Sequence, residues 1–342
     1  MGGPRNISID IAKGIGIMLV VLGHLSGVAG TEPLALSYMK GFVYQFHIPL
    51  FFFLSGLFFK PNEGWSVFLR KKINRLYFPF VFANLFFLLV DILLRVVCGK
   101  AIIPIDEIKH AVKVVLQLAV TPIGGATWFL IALFRIVILY KLLFLILGKL
   151  KFRPAVTVII CFSAALFGAV NKIGYTVSST MVGLFFFCLG DNTKALVNKL
   201  DFSDARFKAL MMILALSCLI IIKPNNQVDV SSGLYQNPCL ALIGSLSGII
   251  LVLTFSSLIS KTNVQLLSFV GANSMAILIG HFFSFKIITL LQIFVLNAPI
   301  TAILSHPCYD VGGVWSVLYL LVGIILPLWA VRLFHPSPSH IN

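Results

Sequence analysis

The chain is predicted to be an all-α, polytopic integral membrane protein with about ten transmembrane helices and cytoplasmic N- and C-termini. Three observations predict this class. Of its 342 residues, 59% are hydrophobic and only 11% charged, with a mean hydropathy of +1.02; a soluble domain carries roughly 25% charged residues. Ten stretches approach the roughly 20 apolar residues that a helix needs to cross a bilayer. The basic residues also fall unevenly on alternate connections.

In chain order the apolar runs are 11–30, 42–59, 76–98, 127–147, 154–171, 178–192, 207–222, 239–260, 275–296 and 313–334, the sixth being short. They are continuously apolar and lack the alternation of a membrane barrel strand. No small-residue cleavage site follows the first run, and Asn6 departs from the myristoylation pattern after Gly2. The first run is therefore expected to persist as a membrane helix. With the N-terminus inside, the inner side receives Arg5, Lys60, Arg70, Lys71, Lys72, Arg75, Lys149, Lys151, Arg153, Lys194, Lys199, Arg206, Lys208, Lys261 and Arg332. The outer side receives Lys40, Lys100, Lys109, Lys113, Lys172 and Lys223. Basic residues concentrate on the cytoplasmic side of membrane proteins. That placement absorbs the net charge of +15 and turns the expected partner from nucleic acid to anionic lipid.

One outer connection is long, 99–126. Its segment "IDEIKHAVKVVLQLAV" has acidic residues first, then lysines, with apolar residues at helical spacing. It reads as an amphipathic helix on the outer surface or as a re-entrant piece. The other outer connections, 31–41, 223–238 and 297–312, are short and rich in Pro, Asn, Ser and Gly. No polar stretch could house a soluble domain, so residues 1–342 are read as a single membrane domain. The six cysteines show no CxxC or metal-ligand spacing, and no metal is expected. Cys161, Cys188 and Cys218 fall in apolar runs, whereas Cys98, Cys239 and Cys308 lie near one predicted face, where a disulfide is left open.

Ionisable groups inside a membrane are costly and mark function. The first run contains "KGIGIMLVVLGH": Lys13 and His24 differ by eleven residues, about three helical turns, and lie within roughly 20° of one face. Asp10 falls on nearly the same stripe. Lys13 is expected near the cytoplasmic surface, either snorkelling there or binding an anion. His24 is expected near mid-membrane, bonding another helix or exchanging a proton near neutral pH. The second run, "FHIPLFFFLSG", places His47 at its outer end facing water, Pro49 at a kink, and Ser55 bonding its own helix's carbonyls. Next comes "RKKINRLYFPF", whose Arg70, Lys71, Lys72 and Arg75 suit an inner-leaflet anchor and also a phosphate cradle. Arg135 needs a partner, Asp91 or lipid phosphate, and Trp128 reads as interfacial. In "VGANSMAILIGH", Asn273 and Ser274 mark a helix start and His281 lies one to two turns in.

"DIAKGIGIMLVVLGH", "FHIPLFFFLSG", "RKKINRLYFPF", "TWFLIALF" and "VGANSMAILIGH", in this order over nearly the whole chain, resemble acyltransferase family 3. These are integral-membrane O-acyltransferases that modify surface sugars, and the second motif looks like that of the fucose 4-O-acetylase subgroup. The family's first-helix motif is a basic residue, ten intervening residues and a histidine. It falls here on Lys13 and His24, with lysine where the family usually has arginine. Lysine keeps the charge and loses the planar fork. Arg75 matches the arginine implied to contact the acyl donor. The esterase-like soluble domain of some members is not expected here.

The resemblance implies a bacterial inner-membrane enzyme. Cytoplasmic acetyl-CoA would dock its phosphates around Arg75, Arg70, Lys72 and Lys13, and its pantetheine arm would thread toward His24. His24, with Asp10 as second catalytic candidate, would act as general base or transient acyl carrier. A glycan or lipid-linked sugar would approach from the outside. His47, Ser55, Trp128, Arg135, Asn273, Ser274 and His281 are acceptor-side or structural. Two further readings stay open: a secondary transporter or lipid-linked-sugar translocator, for which no repeat symmetry is visible, and a non-catalytic assembly subunit.

Overall fold

The computed structural model describes residues 6–29, 32–148, 150, 152–171, 173–174, 176–200, 204–262 and 264–334. Gly2, Arg5, Lys149, Lys151 and Lys172, used above for processing and topology, lie outside the described residues. The fold is all-α. Its helices are α1 (Ile7–Gly23), α2 (Leu34–Val43), α3 (His47–Gly56), α4 (Trp65–Lys72), α5 (Phe78–Val97), α6 (Pro104–Val115), α7 (Trp128–Leu147) and α8 (Arg153–Asn171). They continue with α9 (Val177–Asn192), α10 (Lys194–Leu200), α11 (Ala205–Ile222), α12 (Pro238–Ile259), α13 (Gln265–Ala272), α14 (Ser274–Val295) and α15 (Val314–Phe334). The only sheet among the described residues is a small antiparallel pair, β1 (Val228–Asp229) with β2 (Leu234–Tyr235).

Each of the ten predicted runs overlaps a helix. Seven helical segments are long and apolar enough to cross a membrane. Three of the predicted runs yield shorter helices: α1 has 17 residues, α3 has 10 and α9 has 16. The second run is corrected most. It is broken at 44–46, and the expected loop before it is largely α2. Because α3 begins at His47, Pro49 falls in the first turn, where its missing N–H is not needed, and it does not kink the helix. Helix α6 forms where the spacing predicts, with Pro104 at its start, Asp106 and Glu107 in its first turn and Lys113 in its last. That order complements the helix dipole. Its Ile105, Ile108 and Val112 are exposed. All six cysteines are free thiols, so Cys98, Cys239 and Cys308 form no disulfide.

The chain divides into two compact units, each assembled from separated segments. The first takes residues up to Gly16, Gly41–Pro79 and Phe129–Ala272. Within it α9 packs between α3 and α8, and α12 packs on α11 and α3. Gln45 and Asn226, both buried, exchange hydrogen bonds: Gln45 Nε2 donates to the Asn226 carbonyl at 2.8 Å and Asn226 Nδ2 donates to Gln45 Oε1 at 3.1 Å. Lys141 is 2% exposed. Its ammonium donates to the carbonyls of Pro61 and Glu63 and lies over the rings of Phe68 and Phe144, which fixes the 57–64 loop.

The second unit takes Ile17–Lys40, Phe80–Trp128 and the chain from Asn273 onward. Here α14 packs along α15, and against single 3-10 turns at Gly125–Thr127 and Ile300–Leu304. Buried Asn84 donates to Thr127 Oγ1 at 2.7 Å and accepts from the Thr121 amide at 2.9 Å, shaping the 121–127 turn. Arg95 reaches Asp91 on its own helix and forks onto both oxygens of Glu107, tying α6 to α5.

The α3–α9 contact depends on two glycines. A Cβ on Gly190 would run into the Phe53 carbonyl, and one on Gly56 into the Phe187 carbonyl. Small residues let membrane helices approach this closely. Gly190→Ala is expected to destabilise the protein by about 2 kcal/mol through overpacking, read as a lower thermal midpoint of the detergent-solubilised protein. An unchanged midpoint would show that this backbone contact does not hold the two helices.

Candidate functional site

The second unit contains a histidine cluster. It begins where α1 ends, since Gly23 closes the helix and His24 follows in the turn, its amide still bonded to the Val20 and Val21 carbonyls at 3.2 Å. No basic residue lies in the last turn of α1 to meet the negative end of its dipole. Lys40, from α2, supplies that charge. Its Nζ donates to the Leu25 carbonyl at 3.2 Å, to Ser26 Oγ, and to Glu32 at 2.8 Å. The amides of Val28 and Ala29 donate to the Tyr309 carbonyl, and the Cys308 amide donates to the Ser26 carbonyl. The turn bearing His24 is thus tied on two sides.

His24 stacks on His281 of α14, with ring centroids 5.3 Å apart and planes 25° from parallel. Phe282 sets its ring 4.7 Å from His24 and 4.8 Å from His306, edge-on to each. His24 is half-buried, His306 exposed and His281 fully buried. His281 Nδ1 lies 2.8 Å from the Ile277 carbonyl, one turn back. A carbonyl only accepts, so Nδ1 carries a proton, and in the neutral ring Nε2 keeps the lone pair. Helix α14 starts at Ser274, flanked by Asn273, as the sequence indicates. Trp128 opens α7 after the 3-10 turn and is buried, not displayed at a water interface.

The first unit contains a basic site. Lys13 lies 3.6 Å from Asp10, one helical turn away, and its ammonium sits 4.4 Å from the centre of the Phe58 ring. The backbone of α13 touches α1 here, because a Cβ on Gly271 would meet the Asp10 carbonyl and one on Gly14 the Leu267 carbonyl. Helix α4 ends in Arg70, Lys71 and Lys72, and a single π-helical turn, Ile73–Tyr77, carries Arg75. Such single turns inside α-helices are frequent at functional sites. Lys71 pairs with Glu63 and, as hydrogen-bond donor to it, holds that carboxyl below its ordinary value. Arg70 and Arg75 are exposed and Lys72 rests over Phe68 at 5.3 Å; among the described residues no carboxylate pairs with these three. The 57–64 loop joins both features, Phe58 meeting Lys13 and Glu63 meeting Lys71.

Two further expectations change. His47 is buried, 4% exposed, and its Nδ1 bonds the Val43 carbonyl at 2.9 Å, so it does not face water. The short break before α3 folds Tyr44 against it. Arg135 finds Thr176 Oγ1 at 2.6 Å, while Asp91 pairs with Arg95. Ser55 donates to the Phe51 carbonyl at 2.7 Å, as its helical position predicts. Sequence reasoning missed Phe58, Lys40, Phe282 and His306. For His306 the only available signal was a histidine in a short outer connection.

No curated protein and no solved structure matches this chain. The model of the acyltransferase domain of family 3 matches residues 6–333. That span takes in Lys13, Arg75, the His24–His281 stack and every helix bearing them, and the chain belongs to acyltransferase family 3, whose members are membrane acyltransferases.

Proposed function

We propose that this enzyme moves an acetyl group from cytoplasmic acetyl-CoA to a hydroxyl of a cell-surface or lipid-linked glycan, in the manner of the fucose 4-O-acetylase subgroup. The observation that carries the reading is the His24–His281 stack, an imidazole pair fixed against aromatic rings in a chain that belongs to an acyltransferase family. In this reading ten segments cross a bacterial inner membrane, with both termini and the α4 end cytoplasmic. The uneven distribution of Lys and Arg supports that orientation.

Arg70, Lys72 and Arg75 bind the donor's phosphates, arginine bidentately. Lys13 adds a point charge that Asp10 and Phe58 hold in place. At the other end of the reaction His24 accepts the proton of the glycan hydroxyl as its oxygen attacks the thioester carbonyl. The C–O bond forms, the C–S bond breaks, and the proton passes to the departing thiolate. Asp10 serves in this scheme by orienting Lys13. The translocator reading loses part of its motive, because Arg135 donates to Thr176 Oγ1 and Lys286 to the Ser305 carbonyl.

His24→Ala is expected to lower transfer of label from acetyl-CoA to glycan by at least ~10²-fold, with the protein still inserted in the membrane. Glycan from such a strain that kept its acetyl groups on NMR, before and after mild alkaline de-esterification, would overturn the assignment. Lys13→Gln is expected to raise the KM for acetyl-CoA by about tenfold, as for loss of one charge-assisted contact, whereas Lys13→Arg keeps it near the wild-type value. A Lys13→Gln enzyme with unchanged donor KM would remove Lys13 from donor binding.

A further inference from the structure

We propose that His281 is an acceptor-binding residue, its Nε2 receiving a hydrogen bond from a hydroxyl of the incoming glycan beside His24. The proposal rests on the acyl-transfer reading above and adds a second contact to it. His281 is 0% exposed, two turns into α14, with Phe282 and Phe285 against its ring. Its Nδ1–H is spent on the Ile277 carbonyl, which leaves Nε2 as an acceptor. That Nε2 is buried and has no hydrogen-bond partner among the described residues. Buried polar atoms are nearly always satisfied, and one that is not calls for an explanation.

A packing role does not supply it. Besides His24 its ring neighbours are Phe282 and Phe285, and a further phenylalanine would fill the position without burying an unmet acceptor. His24 does not supply it either, because the two imidazoles meet face to face and not edge to edge. What Nε2 lacks is a donor, and a sugar hydroxyl is one, whereas a carboxylate or a carbonyl is not. A site built to receive a hydroxyl discriminates strongly against a ligand lacking it, because its polar group is then left unmet. The hydroxyl at Nε2 is separate from the one that His24 deprotonates, so the substrate class is a polyol with a second hydroxyl near the reactive one.

The test uses the full-length enzyme in lipid nanodiscs, labelled acetyl-CoA, and polysaccharide of the source strain stripped of esters by mild alkali. His281→Phe is expected to raise the KM for polysaccharide by about tenfold or more, as for loss of one hydrogen bond, with the KM for acetyl-CoA unchanged. His281→Gln, which returns an acceptor oxygen, is expected to recover part of the loss. A polysaccharide KM within about twofold of wild type, or a change confined to kcat or to the donor KM, overturns the proposal while the acyl-transfer reading stands. A wild-type enzyme that transfers no label overturns both. Should the Phe variant fail to fold, histidine ¹⁵N NMR of the wild-type protein decides. The Nε2 resonance of His281 is expected to move on adding polysaccharide and to stay on adding acetyl-CoA, and a resonance unmoved by polysaccharide overturns the proposal.

Discussion

A helix end leaves its last carbonyls without intrahelical partners, and the end of α1 meets this constraint with a side chain from α2. Lys40 brings an ammonium to the Leu25 carbonyl and to Ser26, and Glu32 balances its charge. The 308–309 segment takes up the amides of Val28 and Ala29 and the carbonyl of Ser26. His24 therefore sits on a backbone that has few other conformations available. The proposed role of His24 toward a reacting hydroxyl depends on that rigidity, since small displacements of a catalytic group are costly.

The basic site solves a related problem with different means. Cations near a bilayer need partners that do not cancel them as anion ligands. Lys71 is neutralised by Glu63, and Lys141 is committed to loop carbonyls and rings. Lys13 keeps a loose carboxylate neighbour and an aromatic face. A ring attracts a cation without removing its ability to donate to phosphate. Arg70, Lys72 and Arg75 pair with no carboxylate among the described residues, and Arg75 sits on the π-turn that offsets one helix from the next.

Much of this was legible in the sequence. The class followed from composition, and the helix positions from run lengths. His24 and Lys13 stood out because ions in apolar runs are rare. What the sequence could not show is pairing across distance. Phe58 is one of many phenylalanines until the 57–64 loop places it under Lys13. Lys40 reads as a stray outer charge until α2 forms and carries it to the end of α1. His281 was visible as a histidine one to two turns into a helix, yet nothing local states that its ring faces His24. The second run misled for a definite reason: hydropathy does not register a three-residue break, and a single Gln45 between Tyr44 and Phe46 does not lower the average of the run. His47 consequently appeared to be a terminal, hydrated residue.

Phe282 has an effect beyond its contacts. Its ring touches two imidazoles edge-on and a third at 4.4 Å, and Gly125 approaches so closely that a Cβ there would lie 2.9 Å from it. A ring enclosed on so many sides cannot turn over without a concerted outward breathing of the 121–127 turn and the segment around His306. Ring reorientation then becomes a slow collective coordinate, in place of the fast flipping of a loosely packed phenylalanine.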